Sequence, residues 1–295
     1  MPNRIFSFVQ LDVFTSRPLE GNQLAVFSDG RGLSDDEMQR LARETNLSET
    51  TFILPRDEAV EREQGHKVRI FTVSEELPFA GHPTLGTAWH LYQQSNANEI
   101  VLDLKAGKVP VRFSQREGQL FGEMRQAEPK FGRLHSPAEV AKVLGVNVRD
   151  LDENLSIQTV STGMPFTMVA FRSLATLQRL NVSWNQMAPY FASSGTTEFF
   201  YLVCRETVAL GASLHARMIF YNGEDPATGS AAGCCAAWAV QHGVLAAEQQ
   251  GLIEQGMETR RPSFLYIRAG KADGVVTNVR VGGNVVKVID GKVTM

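Results

Sequence analysis

The sequence is short of the features that mark secreted, membrane or nucleic-acid-binding proteins. Cysteine occurs three times in 295 residues, at 204, 234 and 235. That is too few and too clustered for a disulfide framework, so a reducing cytoplasm is expected. No apolar run approaches the length that spans a bilayer, which predicts no membrane contact. The opening Met1-Pro2-Asn3-Arg4 leads into a strand pattern without the apolar core of a signal peptide. The formal net charge is only −3, and with no Lys/Arg stripe no nucleic-acid partner is expected. There is no G-x-G-x-x-G fingerprint and no P-loop. Ser230 sits in the wrong slot for a G-x-S-x-G elbow. His82 and His90 are too far apart to share a helical turn, so no metal is expected.

What is present describes a globular chain long enough for two domains, with 43% hydrophobic and 21% charged residues. The chain is organised around the stretch from Phe220 to Gly233. A strand pattern, Arg217-Met218-Ile219-Phe220, enters it, and an alanine-rich helical pattern, Ala231 to Gln241, leaves it. The segment His82-Pro83-Thr84-Leu85-Gly86-Thr87-Ala88 aligns without gaps on Asp225-Pro226-Ala227-Thr228-Gly229-Ser230-Ala231. Gly21-Asn22-Gln23-Leu24-Ala25-Val26 aligns on Gly163-Met164-Pro165-Phe166-Thr167-Met168 at nearly the same offset, about half the chain. Two matches at a common offset point to an internal duplication.

Taken in order, strands are expected at Ile5 to Phe14, Leu24 to Phe27, near Thr51 to Leu54, and at Val68 to Val73. Ser34-Asp35-Asp36-Glu37 is a capping box opening a helix that ends near Asn46. A helix is expected from about Pro83 to Gln94, then three strands over Ile100–Leu104, Val109–Phe113 and Gln119–Met124. Glu128-Pro129 and Gly132 mark the crossing between halves. The second half restarts with a capped helix at Ser136-Pro137-Ala138-Glu139, stopped by Gly145. Strands follow at Leu155–Val160, Phe166–Phe171, Phe199–Val203 and Leu214–Phe220, with a helix over Asn181 to Ser194. Three further strands are expected, at Phe264–Arg268, Val275–Val281 and Val285–Ile289. Many short strands and one apolar helix per half fit a rolled sheet that buries its helix on all sides.

If the halves are related by a pseudo-two-fold, His82 and Asp225 face one another across an interdomain cleft, a usual place for a small-molecule site. Helix N-termini there favour an anionic ligand such as a carboxylate. Thr87, Ser230 and backbone amides could bind it, while His82 and Asp225 could hold or move protons. Plainer roles stand beside these. Asp225 can be an N-cap, His82 a capping or core histidine, and Glu49 a surface carboxylate. Glu75, Glu76 and Glu224 read as loop charges, with Glu224 near enough to Asp225 to tune it. Cys234 and Cys235 read as small core residues. Met164, Phe166 and Tyr221 are candidates for the pocket wall.

Several collinear blocks together resemble the phenazine-biosynthesis-like (PhzF-like) isomerase family, relatives of diaminopimelate epimerase. They are Asp12-Val13-Phe14-Thr15 with Gly21 to Val26, Asn46-Leu47-Ser48-Glu49-Thr50-Thr51-Phe52 and Arg69-Ile70-Phe71-Thr72. The series continues with Glu76-Leu77-Pro78-Phe79-Ala80-Gly81-His82-Pro83-Thr84 and Glu224 to Ala231. The resemblance implies an α/β (α+β) fold of two pseudo-symmetric domains, each a rolled, mostly antiparallel sheet around a central helix. Residues 1–127 and 280–295 would form the first domain and 128–279 the second. It implies a cytoplasmic homodimer and chemistry without metal or organic cofactor. The family's phenazine enzyme isomerises trans-2,3-dihydro-3-hydroxyanthranilate by moving a hydrogen on the ring. The glutamate matching Glu49 takes the proton and returns it at another carbon. His82, Asp225 and Ser230 fall at family active-site positions, and Asn22, Gly81, Thr84 and Gly229 are expected to join Ser230 in holding a small anionic substrate. The epimerase relatives use a cysteine from each half where this chain has His82 and Asp225, which argues against a two-cysteine racemase. Two alternatives stay open: an amino-acid racemase or epimerase with Asp225 and His82 on opposite faces, and a non-catalytic small-molecule binder.

Overall fold

The structure, a computed structural model, describes residues 4–95, 97–116, 118–192, 198–221 and 223–295. Met1 to Asn3, Asn222 of the central stretch, and the Ser193-Ser194 end of the expected helix lie outside them. The chain divides into two compact units, Met1–Arg125 with Gly282–Met295, and Gln126–Val281.

The first unit opens with β1 (Ile5–Val13), β2 (Asn22–Phe27), α1 (Asp35–Thr45), β3 (Glu49–Ile53), α2 (Glu58–Gln64) and β4 (His66–Phe71). It continues with β5 (Glu76–Leu77), α3 (Gly81–Tyr92), β6 (Glu99–Leu104), β7 (Gly107–Arg116) and β8 (Gln119–Arg125). β1–β2, β3–β4, β4–β5, β6–β7 and β7–β8 pair antiparallel, whereas β2–β3 and β4–β6 are parallel. The sheet curls around α3, which packs on β1, β2, β3, β6, β7 and β8. α3 is buried from Gly81 through Ala88, as a wrapped helix must be. α1 covers the sheet's other face. Ser34 and Glu37 form the expected capping box, and Met38, Leu41 and Ala42 pack on Phe6, Phe27, Phe52 and Phe71.

The second unit contains β9 (Lys130–Leu134), α4 (Pro137–Leu144), β10 (Gln158–Ser161), β11 (Pro165–Phe171), α5 (Leu174–Arg179) and α6 (Trp184–Phe191). Then come β12 (Phe199–Cys204), β13 (Leu214–Phe220), β14 (Gly223–Glu224), α7 (Gly229–Gln241), β15 (Gly251–Gln255) and β16 (Ser263–Ala272). Its pairings repeat those of the first unit. β10–β11, β12–β13, β13–β14 and β15–β16 are antiparallel, and β11–β12 and β13–β15 are parallel. α7 is buried from Gly229 to Val240 and packs on β10, β11 and β16. α4, α5 and α6 supply an outer core around Val140, Leu177, Met187, Phe191 and Phe200. Each unit is therefore the expected rolled, mostly antiparallel sheet around a central helix.

The last strand corrects the sequence reading. Val275–Val281 and Val285–Ile289 are not two strands but parts of one, β17 (Val275–Thr294). Gly282 and Gly283, which suggest a break, are where the strand passes aromatic rings. A Cβ on Gly282 would sit 2.6 Å from Phe121, and one on Gly283 2.6 Å from Phe14. β17 pairs with β1 and β8 and so closes the first unit's sheet. Other differences are smaller. β9 occupies the expected crossing, the 181–194 helix is reduced to α6 with α5 before it, and α3 begins at Gly81 rather than Pro83.

Candidate active site

In the first unit three of the predicted residues meet. Asn22 opens β2 just after Gly21, whose φ of 68° and lack of a side chain let the chain pass Val13 O, 2.4 Å from where a Cβ would stand. The loop before it is tied down by Asp12, whose Oδ2 accepts from Leu19 N at 2.6 Å. Glu49 is the first residue of β3, reached from α1 through a left-handed Asn46 cap, and lies opposite Leu24 in the parallel β2–β3 register. His82 is the second residue of α3. Its Nδ1 is 3.2 Å from Asn22 Nδ2, and its Nε2 is 3.3 Å from Glu49 Oε2.

Burial pushes the His82 imidazole down to about 3, against a weaker opposing hydrogen bond with the Gln23 backbone. The spacing to Glu49 is that of an ion pair, but the buried ring is neutral. The nitrogen and oxygen are not aligned as a formed hydrogen bond.

The other predicted residues of this unit have different duties. Gly81 is the first residue of α3, and Ala80 caps the helix without a side-chain bond. That leaves first-turn amides without a side-chain cap, a favourable setting for an anion. Thr84 donates its hydroxyl to Ala80 O at 2.6 Å. Thr87 pairs with Thr51 at 2.8 Å and is fully buried, so it is committed to the core rather than to a ligand.

In the second unit Asp225 is not the N-cap of α7; Thr228 is. Thr228 instead turns its hydroxyl back and donates to Asp225 Oδ2 at 2.6 Å. Gln255, at the end of β15, donates to Asp225 O at 2.8 Å and to Thr228 Oγ1 at 2.9 Å. Its Oε1 accepts from Thr228 N at 3.1 Å and from Tyr201 Oη at 2.9 Å. Gly229 O accepts from the buried Gln126 Nε2 at 2.8 Å. Ser230 is the second residue of α7 and is buried, and its hydroxyl has no partner among the described residues.

The gapless match of His82 with Asp225 does not survive as structural equivalence. α3 begins one residue before His82, whereas α7 begins four residues after Asp225. By place in the helix, His82 corresponds to Ser230. A duplicated ion pair fixes this register. Arg69 on β4 holds Glu76 on β5 through Nε–Oε1 at 2.8 Å and Nη2–Oε2 at 2.9 Å. Arg217 on β13 holds Glu224 on β14 at the same pairing positions, at 2.8 and 2.7 Å. Glu76 and Glu224 are thus paired structural carboxylates, not loose loop charges. The position of Glu49 is filled in the second unit by Phe199, opposite Phe166 in the parallel β11–β12 register.

Sequence reading missed Gln255, Thr228, Gln126 and the two arginines. Only the buried polar pattern of β15 distinguishes Gln255, and that becomes visible once the strand is placed. Tyr221 is partly exposed and lines a cavity of about 360 Å³ with Trp184 and Arg217, while Phe166 is buried in β11. A larger cavity of about 500 Å³, bordered by Leu134, Arg149 and Arg172, includes none of the predicted residues. Among the described residues, no group of three His, Cys, Asp or Glu side chains is placed to hold a metal ion, and no helix is long and apolar enough to cross a membrane.

Comparison with known proteins gives one consistent result. The model of the family described as phenazine biosynthesis-like protein matches residues 11–291. An uncharacterized isomerase of Mesorhizobium japonicum is 37% identical over 97% of this chain and 98% of its own. The trans-2,3-dihydro-3-hydroxyanthranilate isomerase of Pseudomonas aeruginosa is 34% identical over 97% and 98%. Among solved structures, a PhzF-family phenazine biosynthesis protein of Bacillus anthracis superposes with a TM-score of 0.88 at 26% identity, covering 99% of this chain and all of the other.

Proposed function

The chain belongs to the phenazine biosynthesis-like protein family and is an isomerase, and on that footing we propose that it moves a proton on a small anionic substrate with Glu49 as general acid and base, without a cofactor. The observation that carries this is the placement of Glu49 Oε2 3.3 Å from a buried, neutral His82. The Glu49 carboxylate takes a proton from a substrate carbon, and the electron pair left behind shifts through the adjacent unsaturation. The protonated carboxyl then returns the proton at another carbon. A neutral imidazole beside Glu49 can pass hydrogen-bond character to it without competing for a full charge. The start of α3, with no side-chain cap, favours an anionic group, with Asn22, Gly81 and Thr84 assigned to substrate binding there, and Gly229 and Ser230 are the residues so assigned at the start of α7. Asp225, assisted by Thr228, is assigned to a donor group of a substrate.

The substrate class follows the Pseudomonas aeruginosa relative, a trans-2,3-dihydro-3-hydroxyanthranilate isomerase. A racemase with Asp225 and His82 as its two bases is less well supported, because the two are not equivalent in place: His82 is the second residue of α3, whereas Asp225 lies four residues before α7. As proposed, the protein is a cytoplasmic homodimer, which light scattering on the purified chain tests. The deciding experiment incubates wild type and Glu49→Gln with trans-2,3-dihydro-3-hydroxyanthranilate in D₂O. Turnover reduced about 10²–10⁴-fold in the variant is expected for loss of a general base. Undiminished turnover in Glu49→Gln would remove that role. Turnover absent from folded wild type would reject this substrate, and ligand binding without any exchange of carbon-bound hydrogen would leave a binder.

A further inference from the structure

We propose that Thr228 and Gln255 are positioning residues that hold the Asp225 carboxylate in one orientation for the substrate. The inference rests on the reading that Asp225 belongs to the site. Asp225 directly follows β14, and its N donates to Met218 O on β13 at 2.9 Å, which anchors the backbone but leaves the orientation of the carboxylate to other groups. Its side chain is met by a hydrogen-bond relay from Gln255 through Thr228. Gln255 Nε2 donates to Thr228 Oγ1, which commits that oxygen as an acceptor on one side. The hydroxyl proton then has one direction left, toward Asp225 Oδ2 at 2.6 Å, a short charge-assisted geometry. Gln255 cannot turn over its amide. Its oxygen already accepts from Thr228 N and Tyr201 Oη, and its nitrogen already donates to Asp225 O. Tyr201 and Gln255 are wholly buried, and Thr228 and Asp225 nearly so, which makes a half-satisfied version of this relay costly.

A second observation comes from the next residue. Gly256 has a φ of 80°, and a Cβ there would stand 2.6 Å from Pro226 O and 2.4 Å from Arg261 O. The end of β15 is therefore pressed against the Asp225-Pro226 backbone while Gln255 holds it by hydrogen bonds. One short strand governs both the main chain and the side chain of Asp225. An aspartate used only as a helix cap would need none of this, and Asp225 does not hold that position: Thr228 does, without a side-chain cap bond.

The test compares Thr228→Val, which keeps shape and removes the hydroxyl, with Thr228→Ser, which keeps the hydroxyl; Asp225→Asn serves as reference. Crystal structures of the first two need no substrate. In Thr228→Val the Asp225 carboxylate is expected to rotate or to occupy two conformers, and in Thr228→Ser to stay as it is. With trans-2,3-dihydro-3-hydroxyanthranilate as probe, Thr228→Val is expected to raise KM about 10-fold or more with a smaller change in kcat, and Thr228→Ser to remain within about 3-fold of wild type. A purely structural role would lower kcat through the active fraction and leave KM unmoved. Gln255→Leu gives the same KM signature in a variant that leaves Thr228 intact. An unchanged Asp225 conformer in Thr228→Val, or failure of Thr228→Ser to rescue, overturns the inference. Full activity in Asp225→Asn would instead overturn the underlying assignment of Asp225 to the site.

Discussion

Arg217 grips Glu224 through two of its guanidinium nitrogens, Nε to Oε1 at 2.8 Å and Nη2 to Oε2 at 2.7 Å, one residue before Asp225. The remaining guanidinium nitrogen donates to Leu177 O at 2.7 Å and Leu180 O at 2.8 Å, which ties α5 to the same hairpin. The Arg69–Glu76 pair repeats the grip on the hairpin before α3. Both helix starts are thus delivered by a two-strand turn bolted at its base.

Glu224→Ala should destabilise the protein by about 3 kcal/mol. It strands a largely buried guanidinium, and breaking such a pair from one side costs more than the pair itself contributes. Arg217 keeps its carbonyl partners, which places the loss toward the low end of the usual range. Urea unfolding at neutral pH measures it; a loss below about 0.5 kcal/mol would mean that the pair is only a surface bridge.

His82 makes the fold sensitive to acid. Its folded value, about 3, lies below the unfolded 6.5, because burial disfavours the charged ring. The stabilising effect of its neutrality is complete above 6.5 and is lost as the pH falls from there toward 3. Unfolding free energies of wild type and His82→Gln, measured between pH 7 and 4, should therefore converge as the pH drops. Parallel curves would show that His82 titrates normally.

His215 acts in the opposite sense. It is completely buried, which by itself lowers its value. The bonds to Glu258 at 3.0 Å and Glu254 at 2.7 Å, with their charges, outweigh burial and raise it. Its contribution is present below 6.5 and is lost as the pH rises through the raised folded value. Glu254 also accepts from Val208 N and Ala209 N, both at 2.6 Å, so the 207–209 turn should loosen with it. Hydrogen exchange of those two amides at pH 7 and pH 9 provides the readout. Protection equal at both, after correction for intrinsic rate, would reject the link.

The cysteines should be chemically silent in the folded protein. Cys234 is pushed up to about 11 by burial, Cys235 is raised further for the same reason, and Cys204 is raised too. Ellman's reagent at pH 8 should find no fast thiol in native protein and three after denaturation. A fast native thiol would show that α7 or β12 opens readily.

Elements with a local chemical signature were legible in the sequence. Ser34 with Glu37 announced α1, and Ser136-Pro137 with Gly145 announced α4, because caps are set by neighbours in the chain. β15 was not, because Glu254 and Gln255 are fully buried polar residues whose partners, His215, Tyr201 and Thr228, are remote in sequence. β17 read as two strands because glycine weakens a strand locally, and only Phe121 and Phe14 explain why none but glycine fits at 282 and 283. In the site, the repeated Pro-x-x-Gly motif correctly pointed to two helix starts. It also aligned His82 with Asp225, whereas the pairing of Arg69–Glu76 with Arg217–Glu224 aligns His82 with Ser230. The motif is matched by composition, but the register is set by strand pairing, and pairing partners are not neighbours in the chain.

β17 carries a consequence for the order in which the protein can be made. The second unit is one unbroken stretch of chain, 126–281, and has all its strands as soon as that stretch has emerged from the ribosome. The first unit, though begun earlier, lacks the strand that joins β1 to β8 until residues 282–294 have been synthesised. Closing it links Ile5 with Thr294, a far larger loop than any other in the fold, and such closures come late. The half holding Asn22, Glu49 and His82 is therefore started first, and the pairing that closes its sheet waits until residues 282–294 have been made.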